Sequence, residues 1–185
     1  MTPPKVKICC IGSVEEARLA VACGASALGP VSAMPSGSGV IDEDFVAETI
    51  GTVPRAVVEM ELIRLGRALP GVSLVQVIHV TVRKSIDVAC AVASFVDAIP
   101  LDSGNQKINV KQLGGTGRVH DWRISRAIRE RCGKPVFLAG GLKADNVCEV
   151  IDQVQPFGLD LTSGVRTGSA LDESKLCQFF AAHRQ

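Results

Sequence analysis

Four short stretches of this chain carry residues whose types could do chemistry. Cys9 closes Lys7-Ile8-Cys9 near the amino end, and a thiol acts as a base once its anionic form is favoured. Asp102, in Leu101-Asp102-Ser103, offers a carboxyl group, which can deliver a proton from a partly desolvated pocket. Ala139-Gly140-Gly141-Leu142 and Thr162-Ser163-Gly164-Val165-Arg166 are glycine-containing turns, and such turns let an anion come close to backbone N–H groups. Thiol, carboxyl and two anion-accepting turns in one site would suit proton transfer across a bound phosphosugar. Each stretch also has a plainer reading. A cysteine in an apolar strand is usually core, an aspartate before Ser-Gly is often a turn former, and paired glycines let a strand turn into a helix.

Bringing these residues together is the work of the elements around them. Short runs rich in Val and Ile alternate with segments of helical period, which is the pattern of repeated βα units on a parallel sheet. Strands are expected over residues 6–11, 25–31, 74–80, 98–101, 135–139 and 158–161. Helices are expected over 42–52, 85–96, 122–132, 145–154 and 172–182. The first helix opens at the capping box Ser13-Val14-Glu15-Glu16, places Val14, Ala17 and Val21 on one face, and stops at Gly24. All four chemical stretches fall just past strand ends, where a parallel barrel builds its active site, and loops after the last two strands commonly cradle phosphate. Cys9 and Asp102 would face each other across the mouth.

The expected fold is therefore α/β, a TIM-type (βα)8 barrel that is shortened. Residues 54–72 must supply what two ordinary βα units need roughly 40 residues to build. They read as a strand over 56–58 fused to a helix over 59–69, giving seven βα units with the third and fourth strand region compressed. A barrel short of a strand must re-close or leave open edges, and open edges invite a second chain, so a homodimer is one expected outcome.

The bulk numbers narrow the function classes. At 185 residues the chain has the length of one domain, taken as 1–185, and 46% hydrophobic against 21% charged residues is a globular balance. Lys and Arg total 20 against 19 for Asp and Glu, so a net charge of +1 exerts no long-range pull on nucleic acid or an anionic membrane. A bound anion must be held by local geometry. The sequence has no signal-peptide core and no bilayer-length apolar stretch, which places it in the cytoplasm by expectation. The seven cysteines lack zinc or disulfide spacing, and apart from Cys9 they read as buried thiols. No metal and no cofactor are expected. Gly114-Gly115-Thr116-Gly117 has the flexibility of a lid, or of a simple connection. Arg123, Arg126 and Arg129 recur at helical spacing without aromatic interleaving and read as a solvated face. His79, His120 and His183 are scattered, which argues for neither a metal cluster nor a Ser-His-Asp arrangement.

Taken in order, the strand ends resemble those of the phosphoribosylanthranilate isomerase family, (βα)8-barrel enzymes of tryptophan biosynthesis. Lys7-Ile8-Cys9 is similar to the family's opening Lys-Ile-Cys-Gly, and Gly24-Ala25-Ser26-Ala27-Leu28-Gly29 to its Gly-Ala-Asp-x-x-Gly. Val96-Asp97-Ala98-Ile99-Pro100-Leu101-Asp102-Ser103 resembles its sixth-strand run. Gly114-Gly115-Thr116-Gly117 with Asp121-Trp122 resembles its most distinctive loop. Residues 138–142 with Asn146-Val147, and 158–165 with Asp172 and Lys175, complete a likeness that covers about residues 5–53 and 73–182.

The resemblance implies an Amadori rearrangement of N-(5'-phosphoribosyl)anthranilate, in which a ribosylamine ring opens and becomes a 1-deoxyribulose 5-phosphate. It implies that Asp102 is the general acid on the ring oxygen and Cys9 the general base at C2′. It gives the phosphate to Gly140, Gly141, Ser163 and Gly164, and asks for no cofactor. Three departures stand out: Cys10 replaces a glycine, Met34-Pro35-Ser36-Gly37-Ser38-Gly39 replaces a Ser-Pro-Arg, and the strand bearing Gln-Leu-His-Gly falls in the compressed 54–72 segment. The last two lie on the anthranilate side. They keep open an isomerase of another phosphorylated sugar, and a non-catalytic phosphosugar-binding barrel.

Overall fold

The computed structural model describes residues 3–30, 73–103 and 120–184. The elements expected over 42–52, 56–58 and 59–69, the 34–39 stretch and the Gly114-Gly115-Thr116-Gly117 loop lie outside these residues.

Alternation along the first strand sets the plan. In β1 (Lys5–Ile11), Val6 and Ile8 are buried while Lys7 and Cys9 are half-buried, so the two sides of the strand have different surroundings. β1 pairs in parallel with β2 (Ala27–Pro30) on one side and with β6 (Gly158–Leu161) on the other. The sheet continues through β5 (Val136–Leu138) and β4 (Ile99–Asp102) to β3 (Ile78–His79), in the order β2-β1-β6-β5-β4-β3, and every pairing is parallel. The first strand bonded to the last full strand, with the others descending in sequence beyond it, is the arc of a (βα)-barrel.

The helices are α1 (Val14–Cys23), α2 (Ser85–Val92), α3 (Trp122–Cys132), α4 (Val147–Val154) and α5 (Glu173–His183). Local chemistry sets their ends. Ser13 Oγ accepts from Glu16 N at 3.1 Å at the start of α1, and Gly24, at φ 116°, ends it in the left-handed conformation. The helix expected over 85–96 stops at Val92 and tightens into a 3₁₀ turn, Ala93–Phe95. The strand expected over 74–80 shrinks to two residues plus an isolated bridge between Val75 and Ala98, because the ladder with β4 is regular only at Leu101 and Asp102 and Pro100 before them has no N–H to donate. After β6 the chain makes a 3₁₀ turn, Ser163–Val165, and a two-stranded hairpin of β7 (Arg166–Thr167) and β8 (Ala170–Leu171) before α5.

The core lies between the sheet and the helices, where Ile8, Leu101, Leu138 and Leu161 meet Ile128 and Phe179. Each such side chain contributes about 1.5–3 kcal/mol on burial. By alternation the other strand face carries Lys7, Cys9, Asp160, Phe137, Asp102 and His79, which is the lumen of the barrel.

Two expectations need correction. The six cysteines other than Cys9 are not buried thiols: Cys10 on β1 and the helical Cys23, Cys90 and Cys132 are half-buried, and the helical Cys148 and Cys177 are exposed. Four of them sit on helix flanks where neighbours meet, with Cys23 Sγ 3.8 Å from Cys177 Sγ and Cys90 Sγ 3.2 Å from Cys132 Sγ. The arginine stripe of α3 is not a purely solvated face either. Arg129 Nε donates to Val154 O at 3.0 Å and Arg126 Nη1 to Gln153 O at 3.4 Å, so two of the three cap the carboxy end of α4.

Candidate active site

Cys9 faces the lumen at the end of β1, and its company is defined by strand register. Lys7 lies two residues earlier on the same face, and Asp160 of β6 is the register partner of Lys7. Lys7 Nζ donates to Asp160 Oδ2 at 2.6 Å and to Cys9 Sγ at 3.4 Å. Burial works against the Lys7 ammonium, but Asp160 and Cys9 beside it outweigh this and raise its pKa above the ordinary value. Burial, helped by Asp102, holds the Asp160 carboxyl above the usual carboxylate range despite Lys7. Asp160 Oδ1 is buried without a hydrogen-bond partner among the described residues.

Asp102, the last residue of β4, is only 9% exposed. Its Oδ1 accepts from Ser103 N at 2.7 Å. β5 and β6 stand between it and β1 in the sheet, so the acid and base candidates lie on strands that are not neighbours. Two histidines that look scattered in the sequence converge here. His79 is the register partner of Asp102 on β3. His120 precedes α3, donates to or accepts from Ser125 Oγ at 2.6 Å, and feels the Asp102 charge. Burial lowers the His120 pKa to about 4, so its ring is neutral at neutral pH.

The two glycine turns close the wall between β4 and β1. Gly140 and Gly141 hold φ of 88° and 67°, which favour glycine, and a Cβ at Gly140 would lie 2.6 Å from Ser103 Oγ. Asn146 fixes this turn, accepting from Lys143 N at 2.9 Å through Oδ1 and donating to Gly141 O at 2.8 Å through Nδ2. A Cβ at Gly164 would run into the carbonyl of Leu142, so the loops after β5 and β6 meet backbone against backbone. Ser163 and Gly164 open a 3₁₀ turn, whose first N–H groups have no acceptor within the turn.

A clasp ties that second loop to the end of β1. Arg166 Nη1 and Nη2 donate to the two Glu16 oxygens at 3.0 and 3.1 Å, and Nη2 reaches Cys10 O at 2.6 Å and Cys9 O at 3.4 Å. The Glu16 carboxylate also accepts from Gly12 N at 3.0 Å and Leu171 N at 2.8 Å. The Arg166 guanidinium, with these amides, drives its pKa down to about 2.

The strand-end reading thus places Cys9, Asp102, Gly140, Gly141, Ser163 and Gly164 around one rim, and the lid glycines 114, 115 and 117 with Thr116 lie outside the described residues. Lys7, Asp160 and the Glu16–Arg166 clasp escaped it. Period 2 would have placed Lys7 beside Cys9, and a charge inside the apolar strand Gly158–Leu161 was the signal for Asp160. Among the described residues no group of three or more His, Cys, Asp or Glu could hold a metal ion. A cleft of about 330 Å³ lined by Pro4, Lys5, Gly24, Phe180 and His183 lies at the opposite, amino-terminal end of the strands.

The family model described as N-(5'phosphoribosyl)anthranilate (PRA) isomerase matches residues 45–182. An N-(5'-phosphoribosyl)anthranilate isomerase 2 of Methanosarcina mazei is 31% identical, with 95% of this chain and 92% of the relative covered. That alignment runs over 212 positions, more than the 185 residues present, so the relative carries residues that this chain lacks. Among solved structures, monomers generated from the dimeric phosphoribosylanthranilate isomerase of Thermotoga maritima superpose with a TM-score of 0.72 at 21% identity, covering 98% of both chains. A phosphoribosyl anthranilate isomerase in complex with reduced 1-(o-carboxyphenylamino)-1-deoxyribulose 5-phosphate gives a TM-score of 0.69 at 22% identity, again with 98% of both chains covered.

Proposed function

This chain belongs to the N-(5'-phosphoribosyl)anthranilate isomerase family, and from that premise we propose that it is itself an isomerase of N-(5'-phosphoribosyl)anthranilate. One observation carries the proposal: Cys9 near the end of β1 and Asp102 at the end of β4 lie on the lumen side, and the glycine turns after β5 and β6, the two strands between them, complete the rim.

In this reading the phosphate rests on the backbone of Gly140, Gly141, Ser163 and Gly164, and Gly114, Gly115, Thr116 and Gly117 supply the lid. Asp102 gives its proton to the ring oxygen as the bond from that oxygen to C1′ breaks, and the nitrogen lone pair forms an iminium ion. The Cys9 sulfur, as its anion, takes the C2′ proton, and the C–H electron pair becomes the C1′=C2′ bond that neutralises the iminium. The enol so formed returns a proton to C1′ and becomes the ketone. Asp102 is left as carboxylate and Cys9 as thiol, and one proton passed from Cys9 to Asp102 through solvent resets the site. No cofactor enters any step.

Among the described residues no helix is long and apolar enough to cross a membrane. The proposal keeps the enzyme in the cytoplasm, and takes it as a homodimer, as one solved relative is described.

The test is kinetic. Cys9→Ser and Asp102→Asn are each expected to lower kcat by about 10²-fold or more while still binding a 1-deoxyribulose 5-phosphate analogue of the product. Retained turnover in Asp102→Asn would exclude it as the acid. A well-folded protein that turns over other phosphorylated sugars but not this one would reassign the substrate.

A further inference from the structure

Among the described residues, the acid–base pair leaves two charged lumen side chains, Lys7 and Asp160, without a role. Lys7 Nζ stands between Asp160 Oδ2 at 2.6 Å and Cys9 Sγ at 3.4 Å. The Lys7 and Asp160 side chains are only 30% and 20% exposed, so the pair is held partly out of water at the mouth of the barrel. The third strand at this point is bare. A Cβ on Gly29 of β2 would lie 3.1 Å from Cys9 Sγ and 3.2 Å from Lys7 Cε, so any side chain there would press on both groups.

An ammonium at this distance donates an N–H to the sulfur, and such a contact is in general stronger to a thiolate than to a thiol. Asp160 limits where the lysine can go, since its one bonded oxygen draws Nζ to the β6 side of Cys9. The other charged groups near the sulfur act differently. Asp102 faces it from across the lumen on β4, and Arg166 bonds the Cys9 carbonyl at 3.4 Å rather than the sulfur.

From this geometry we propose that Lys7, tethered by Asp160, is a positioning residue that orients and activates the Cys9 sulfur as proton acceptor. The proposal rests on the reading of Cys9 as the base. A lysine that merely fills the lumen would affect stability and leave Cys9 chemistry alone. A lysine that anchors a substrate anion would affect KM alone.

The experiment follows alkylation of individual cysteines by iodoacetamide at pH 7, using mass spectrometry, in the wild type, Lys7→Met and Lys7→Arg, alongside kcat and KM. In the wild type, Cys9 is expected to react at least as fast as Cys148 and Cys177, although these two are more exposed. Lys7→Met is expected to slow Cys9 alkylation about tenfold and to lower kcat by a similar factor with KM within about twofold, and Lys7→Arg to recover part of both. Unchanged rates at Cys148 and Cys177 report that the fold is kept. The proposal is overturned by unchanged Cys9 alkylation in Lys7→Met, or by a rise in KM with kcat unaltered. It is also overturned by a wild-type Cys9 slower than the exposed thiols, a comparison that needs no substitution. Alkylation requires no substrate, so Lys7-dependent alkylation without turnover would remove the isomerase reading and leave the pairing in place. Turnover with Lys7-independent alkylation would do the reverse.

Discussion

Cys10 holds a φ of 60°, in the left-handed region that glycine enters freely and a cysteine does not. The family it resembles has glycine there, and the strained backbone is held in place by Arg166, whose Nη2 bonds Cys10 O at 2.6 Å. Replacing Cys10 with glycine removes a steric cost of about 1–2 kcal/mol and adds some freedom to the unfolded chain. Cys10→Gly is therefore expected to raise stability by up to about 1 kcal/mol in denaturant unfolding, with turnover retained. Destabilisation would mean that the Cys10 side chain contributes packing that outweighs the strain.

At the scale of elements, the end of β1 and the loop after β6 are joined by the Glu16–Arg166 clasp rather than by the sheet alone. Arg166 is 8% and Glu16 17% exposed, so removing one charge leaves the other poorly solvated. Glu16→Gln is expected to cost about 2–4 kcal/mol, and to lower turnover because the carbonyls of Cys9 and Cys10 lose their anchor. Equal stability of variant and wild type in denaturant titration would contradict this. Sequence periodicity was enough to find β1, β2, β4, β5, β6 and all five described helices from their apolar repeats, and side-chain caps at Ser13, Asp121 and Asp172, with glycine stops at Gly24 and Gly133, mark the ends of α1, α3 and α5. It overextended β3 because apolar residues from Leu74 onwards look like strand, while the ladder with β4 is regular only past Pro100. It missed the clasp because Glu16 and Arg166 are brought together by barrel closure, and nothing local marks them as partners.

At the scale of the whole molecule, two groups tie stability to pH in the same direction. The folded pKa of His120 is lowered to about 4, mainly by burial, so its contribution is complete above the unfolded value of about 6.5 and is lost as pH falls through 4. Glu16, lowered to about 2 chiefly by Arg166, contributes fully above an unfolded value of about 4.3 and loses this as pH falls towards 2. Stability is expected to fall in two overlapping stages, each on the order of 1–3 kcal/mol after allowance for solvent screening. Thermal unfolding followed from pH 7 to pH 3 checks this, and His120→Gln should remove the upper stage. A flat profile between pH 6.5 and 4 in the wild type would contradict the burial argument.

The lumen itself was partly legible. Its acid, base and glycine turns could be named because they sit at strand ends, whereas Lys7, Asp160 and His79 acquire meaning only through register across two different strand pairs. The central claim joins these into one reactive mouth, and the most direct measurement is of wild-type turnover. N-(5'-phosphoribosyl)anthranilate is generated in place, and its fluorescence is followed after the purified chain is added. The account predicts a decay of that fluorescence at a rate proportional to protein concentration, with the 1-deoxyribulose 5-phosphate product identified by mass and chromatography. Fluorescence that decays no faster than in buffer, from protein shown to be folded, would contradict it.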